Sequence, residues 1–161
     1  MINSINVEMA TIPENVGLAR IIAAGFIAPL DPTVEEISDI KTAVSEAVTN
    51  AIIHGYCGSA GGTSLCCESK VSPLQPPPMV KMKLAHNEAR KLVIEIIDSG
   101  IGIEDIDAVR EPMFTTKPDL ERSGLGFTVM ETFMDSVEVK SSPGVGTTVI
   151  LTKTLKEAPV L

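Results

Sequence analysis

The chain has 161 residues, 44% of them hydrophobic, which suffices for one buried core and is too little for two comfortable domains. Its formal net charge is −8 and no run of Lys or Arg exceeds two residues, which argues against direct nucleic-acid binding and favours a basic protein partner. No apolar run approaches the roughly 20 residues of a membrane span, and Met1–Pro13 lacks the basic and apolar regions of a signal peptide, so a cytoplasmic protein is expected.

Residues 3–12 alternate loosely between polar and apolar and predict an edge strand. Asn15 is the expected cap of a helix through Leu30, with Val16, Ala19, Ile22, Ala23 and Phe26 on one face, and Asp31-Pro32 breaks it. Thr33 followed by Glu36 is a capping-box pattern that starts a second helix running to about His54. From Cys57 to Pro78 the chain is rich in Gly, Ser, Cys and Pro without periodicity, the texture of a long exposed loop. Its cysteines, Cys57, Cys66 and Cys67, have neither CxxC spacing nor a paired histidine nearby and read as free thiols. Strands are predicted over Met79–Leu84 and Lys91–Ile97, joined by a turn at AHNEAR, and Asp98–Ile103 is a glycine-containing turn. Residues 104–123 mix short helical and loop signals, Leu125–Phe133 reads as helix, and Val137–Lys140 and Thr147–Lys153 form a hairpin around SSPGVG. Helices gathered before and between these strands predict an α+β fold, a two-layer sandwich with helices on one face of a mostly antiparallel, mixed sheet.

Several patterns carry chemistry. On the second helix, at about 100° per residue, Ile37, Ile40, Val44, Val48 and Ala51 form one apolar stripe. Glu46 and Asn50 lie together on the opposite side. Glu46 can accept a proton from a hydroxyl, and Asn50 offers Mg²⁺ a neutral oxygen ligand. An ordinary solvated helix face would carry the same pair. Asp98 ends a strand and is followed by Gly100 and Gly102, so a carboxylate there can meet the amino group of adenine where the backbone turns closely. A purely structural turn is the competing reading. Ser123-Gly124-Leu125-Gly126 precedes an apolar helix, whose exposed N–H groups and dipole favour phosphate. Before it, Thr115, Thr116 and Lys117 read as a lid over the phosphates or as a plain surface loop. Thr147, in the last hairpin, can turn its hydroxyl toward the base.

Each pattern is weak alone, but together they occur in one order: ExxxN on a helix, DxGxG after a strand, a TTK loop, GxG before a helix, and GTT in a hairpin. That set resembles the N, G1 and G2 boxes of the Bergerat-fold ATPases (GHKL superfamily) and implies an ATP pocket. Within that superfamily, IKTAVSEAVTNAIIHGY, EPMFTTKPDLERSGLGFTVMETFMD, SSPGVGTTVILTK and LARIIAAGFIAPLDPT closely resemble the anti-sigma F factors of spore-forming bacteria. The resemblance covers most of residues 4–156 except roughly 57–78, where family members have a much shorter link.

The resemblance implies one kinase domain over residues 1–161, with a flexible insertion at about 57–78. It implies a serine kinase using ATP and Mg²⁺, which holds sporulation sigma factor F inactive and phosphorylates a serine of the anti-sigma factor antagonist. By the same resemblance Glu46 is the catalytic base, Asn50 the Mg²⁺ ligand and Asp98 the adenine reader. Gly100 and Gly102 shape the base wall, Thr115, Thr116 and Lys117 form the lid, and Gly124 and Gly126 approach the phosphates. Arg20 matches a partner-contacting arginine, and a homodimer is expected. Competing readings are a nucleotide-gated sigma-binding module without kinase activity and a stress-response anti-sigma serine kinase. A histidine kinase catalytic domain shares the pocket but is normally attached to a helical pair carrying the phosphoacceptor histidine, and the only histidines here are His54 and His86.

Overall fold

Alternation of polar and apolar side chains organises five strands into one open sheet. The computed structural model describes residues 2–55, 78–106 and 125–156. Its strands are β1 (Asn3–Ala10), β2 (Met79–His86), β3 (Lys91–Asp98), β4 (Ser136–Ser142) and β5 (Gly146–Thr154), in the order β1-β2-β3-β5-β4. Every pairing is antiparallel, so the mixed pairing allowed for in the sequence is not found among the described residues. Because successive side chains point to opposite faces, the register stacks apolar residues in rows across the sheet. Ile5, Leu84, Ile94, Leu151 and Val137 make one row, and Val7, Met82, Ile96, Val149 and Val139 the next. These rows face the helices and form the floor of the core. The opposite face carries exposed ion pairs, Glu8–Lys81 at 3.0 Å, Lys83–Glu95 at 3.4 Å and Glu138–Lys140 at 3.3 Å, which keep it wetted and add little stability.

The helical layer consists of α1 (Glu14–Ile27), α2 (Val34–Asn50) and α3 (Gly126–Phe133), with α2 packed between the other two. The expected inward face of α1 holds: Ala19, Ala23 and Phe26 are buried, with Val16 and Ile22 packed against them. Its expected cap does not. Pro13 occupies the capping position, and Asn15, inside the first turn, donates from Nδ2 to the Ala10 carbonyl at 2.7 Å. The amide thus ties the helix to the end of β1 instead of satisfying the helix's own N–H groups. The helix also stops at Ile27 and continues as a 3₁₀ turn, Ala28–Leu30, because Pro29 has no N–H to extend the α-helical ladder.

The capping box on α2 forms as expected. Glu36 N–H donates to Thr33 Oγ1 at 3.2 Å, and Thr33 N–H donates to Glu36 Oε2 at 2.8 Å. The second carboxylate oxygen has a further task, accepting the N–H of Lys156 at 2.7 Å, so one buried side chain joins the start of α2 to the segment leaving β5. Lys153, on β5, makes a parallel link: Nζ meets Asp39 Oδ2 of α2 at 3.0 Å and the Phe133 carbonyl of α3 at 2.6 Å. At its far end α2 does not continue as one helix to His54. The hydrogen bonding widens after Asn50 into a π-helical turn, Ala51–Gly55. The insertion expected at about 57–78 lies outside the described residues, apart from Pro78.

Burial alone would raise the Glu36 pKa, but hydrogen bonds from the Lys156 and Thr33 N–H groups outweigh it and hold the carboxyl below its ordinary 4.5. A carboxyl whose folded-state pKa is depressed stabilises the fold above its unfolded value, and the contribution is lost as pH falls through the folded value. Glu36→Gln should therefore cost about 1–2 kcal/mol at pH 7. The gap from wild type should narrow as pH drops below 4.5. Urea unfolding of both proteins from pH 7 to pH 3 measures this, and a gap that stays constant with pH would contradict it.

Candidate functional site

Beyond the two apolar rows the next row of the sheet turns polar. Asp98 lies opposite Thr147, and Thr147 opposite Ser141, so β3, β5 and β4 each contribute one polar side chain to the helix-facing side. Asp98 follows Leu92, Ile94 and Ile96 at two-residue steps, and the alternation that buries them buries it as well, to 7% exposure. Burial pushes its carboxyl above the ordinary 3.8, only partly offset by hydrogen bonds from the Gly100 and Thr147 N–H groups at 2.9 and 3.3 Å. Both of those bonds end on Oδ1, and Oδ2 accepts none from the described residues. A carboxylate oxygen at a strand end that takes no hydrogen bond from the described residues suits a donor brought by a ligand.

Two glycines let the backbone close around this row. Gly146 has φ +124°, and a Cβ there would fall on the Asp98 carbonyl oxygen and stand 2.8 Å from Ser99 Cα. Gly102 has φ +73°, and a Cβ there would strike the Ser142 carbonyl group. The loop after β3 is therefore pressed onto the β4–β5 hairpin. Two hydrogen bonds hold it there, from Gly144 N–H to the Ile101 carbonyl at 2.7 Å and from Ile103 N–H to Ser141 Oγ at 2.8 Å. Ser141 was not among the residues singled out from the sequence. Its place emerges only when β4 is set in register with β5, which puts it opposite Thr147.

The second cluster forms where α3 begins. Glu46 and Asn50 are half-buried beneath the first residue of α3, which rules out a freely solvated face. A Cβ built on Gly126 would lie 3.3 Å from both Glu46 Oε2 and Asn50 Nδ2. Leu125 takes the capping position of α3 without a side-chain hydrogen bond. A carboxylate, an amide and a helix N-terminus thus converge on the space that a side chain at residue 126 would fill, a setting for an anion together with its counter-cation. The π-helical turn after Asn50 touches β3 and β5, the strands that carry Asp98 and Thr147. Such turns within helices frequently mark functional sites. Arg20 is exposed on α1, where Leu18 and Ile21 are exposed as well. Thr115, Thr116, Lys117, Ser123 and Gly124 lie outside the described residues.

The family model described as the histidine kinase-like ATPase domain matches residues 9–153. The anti-sigma F factors of Bacillus thuringiensis (strain Al Hakam) and Bacillus anthracis (strain A0248) are each 48% identical to this chain over 161 residues, 100% of it and 99% of the relative. Among solved structures, the RsbU and RsbW domains of a Mycobacterium tuberculosis protein match with a TM-score of 0.60 at 17% identity, over 95% of this chain and 32% of that one. The SiaB–SiaC complex from Pseudomonas aeruginosa matches with a TM-score of 0.54 at 12% identity, over 94% and 88%. At such identities these two structures speak for the fold alone.

Asp98→Asn keeps an acceptor for the Gly100 and Thr147 N–H groups while removing a buried charge. Because the folded-state pKa is raised, ionised Asp98 weakens the fold at pH values above it, and that penalty fades as pH falls toward 3.8. The ligand-free variant should accordingly unfold at a higher temperature than wild type at pH 7.5, with the gain disappearing in acid. Calorimetry across that range checks the sign, and a variant less stable at neutral pH would contradict it.

Proposed function

The chain belongs to the histidine kinase-like ATPase family and, within it, to the anti-sigma F factors, and from that premise we propose that it is an ATP-dependent serine kinase that inhibits sporulation sigma factor F. Its phosphoacceptor is a serine of the anti-sigma factor antagonist. The observation that carries the catalytic half of this reading is the close approach of Gly126 to Glu46 and Asn50. Phosphoryl transfer depends on placement and on spreading charge more than on covalent help. Glu46 would take the proton of the attacking serine hydroxyl. Asn50 would hold Mg²⁺ through its amide oxygen, and the leading N–H groups of α3 would receive phosphate oxygens.

Among the described residues no three acidic, histidine or cysteine side chains cluster. That fits a cation which takes few protein ligands and completes its shell with phosphate and water. Mg²⁺ bound there would supply charge neutralisation at the phosphates. Asp98 would accept a hydrogen bond from the adenine amino group, with Gly100 and Gly102 shaping the wall beside it and Thr147 alongside. Thr115, Thr116 and Lys117 are proposed as the lid, and Ser123 and Gly124 as part of the phosphate-facing turn. Arg20 would contact the sigma factor or the antagonist from its exposed position on α1. The protein would act in the cytoplasm as a homodimer, one domain per chain, with residues 57–78 as a flexible insertion.

The test mixes the purified protein with labelled ATP, Mg²⁺ and a candidate antagonist, and follows phosphate onto serine. Transfer is expected, and Glu46→Gln should slow it at least about 100-fold while ATP still binds. Asp98→Asn should instead weaken ATP binding by about 2 kcal/mol, the worth of a hydrogen bond to a charged group. ATP binding without any transfer would overturn the kinase reading and leave a nucleotide-gated module that sequesters the sigma factor.

A further inference from the structure

The polar row ends on Ser141, whose one hydroxyl proton has three neighbours. The Gly146 carbonyl, 2.9 Å away, can only accept, so the Ser141 proton is directed there. Ile103 N–H donates into one Ser141 lone pair at 2.8 Å. The remaining neighbour is Thr147 Oγ1 at 2.9 Å. With its proton already committed, Ser141 can only accept from Thr147. The single proton of the Thr147 hydroxyl therefore points at Ser141, and a polar group that approaches this hydroxyl from another side meets its lone pairs.

Asp98 is the direct cross-strand neighbour of Thr147 and takes its N–H on Oδ1. An ionised carboxylate also offers only acceptors. We propose that Ser141 is a positioning residue which, by holding the Thr147 hydroxyl as an acceptor beside Asp98, sets the preference for a 6-aminopurine nucleotide over a 6-oxopurine one. The assignment rests on the adenine reading of Asp98. Adenine presents an amino donor at C6. Guanine presents a carbonyl oxygen there, which would face two acceptors and be repelled, and a site left with mismatched polar groups discriminates strongly. Ser141 itself touches no ligand in this scheme. Without its hydroxyl, Thr147 is free to rotate and donate, and the penalty against the carbonyl is relieved.

The test is equilibrium binding of ATP and of GTP, without phosphoryl transfer, to wild type, Ser141→Ala and Ser141→Thr, with ligand-free unfolding recorded for each. Wild type should favour ATP. Ser141→Ala should reduce the ATP-to-GTP affinity ratio about tenfold, chiefly by tighter GTP binding, whereas Ser141→Thr, which keeps the hydroxyl, should retain the ratio. An unchanged ratio in Ser141→Ala, or equal weakening of both nucleotides, overturns the proposal and leaves Ser141 a packing residue. A ratio lost equally in Ser141→Thr does the same. A wild-type protein that does not favour ATP, or an Asp98→Asn variant that binds it undiminished, removes the adenine reading instead, and the Ser141 role with it.

Discussion

The register of β3 decides which side chains face the helices and which carboxylate joins the polar row. This strand is hydrogen-bonded on both edges, to β2 and to β5, and its side chains alternate strictly between faces. Leu92, Ile94 and Ile96 fill the core, and the same two-residue step delivers Asp98 to the helix-facing side. A slip of one residue would turn that whole set outward and bring Val93, Glu95 and Ile97 in. The apolar rows thereby fix the carboxylate's position without contacting a ligand, and the free energy that opposes such a slip is hydrophobic burial distributed over the sheet.

Helix α2 carries the second half of the site and is braced along its length. Glu36 binds its first turn to the segment after β5, Lys153 joins its Asp39 to α3, and its apolar stripe lies in the core. Glu46 and Asn50 come near the end of this rod, just before the ladder widens into the π-helical turn. Side chains on a rigid element hold their geometry better than those on a loop. The carboxylate and the amide therefore inherit their placement from interactions made at the other end of the helix.

The legible parts of the fold were those governed by short-range chemistry. Thr33 and Glu36 stand three residues apart, and their reciprocal bonds follow from helix geometry whatever surrounds them. Glu46 and Asn50 were readable as sharing a face for the same reason. That Gly126 would cover them was not, because the pairing joins segments far apart in the chain. Asn15 misled because a polar residue beside a helix start has more than one carbonyl or amide within reach, and here the end of β1 captured it. Ser141 stayed invisible until the hairpin register placed it opposite Thr147. The lid and phosphate-turn residues, Thr115 to Lys117 with Ser123 and Gly124, rest on pattern alone.

Helix α3 is fastened asymmetrically. Its trailing end is gripped by Lys153 on the Phe133 carbonyl, and the residues just beyond are held by Asp135 N–H to the Thr152 carbonyl at 2.9 Å and Thr154 N–H to Asp135 Oδ2 at 2.7 Å. Its leading end has no side-chain cap and rests on Glu46 and Asn50 through a glycine. A short rod pinned at its tail and merely resting at its tip pivots more readily than it slides. A displacement at Leu125 would thereby become a tilt about Phe133, in which Met130, buried closer to that fulcrum, would move less than Gly126 at the tip.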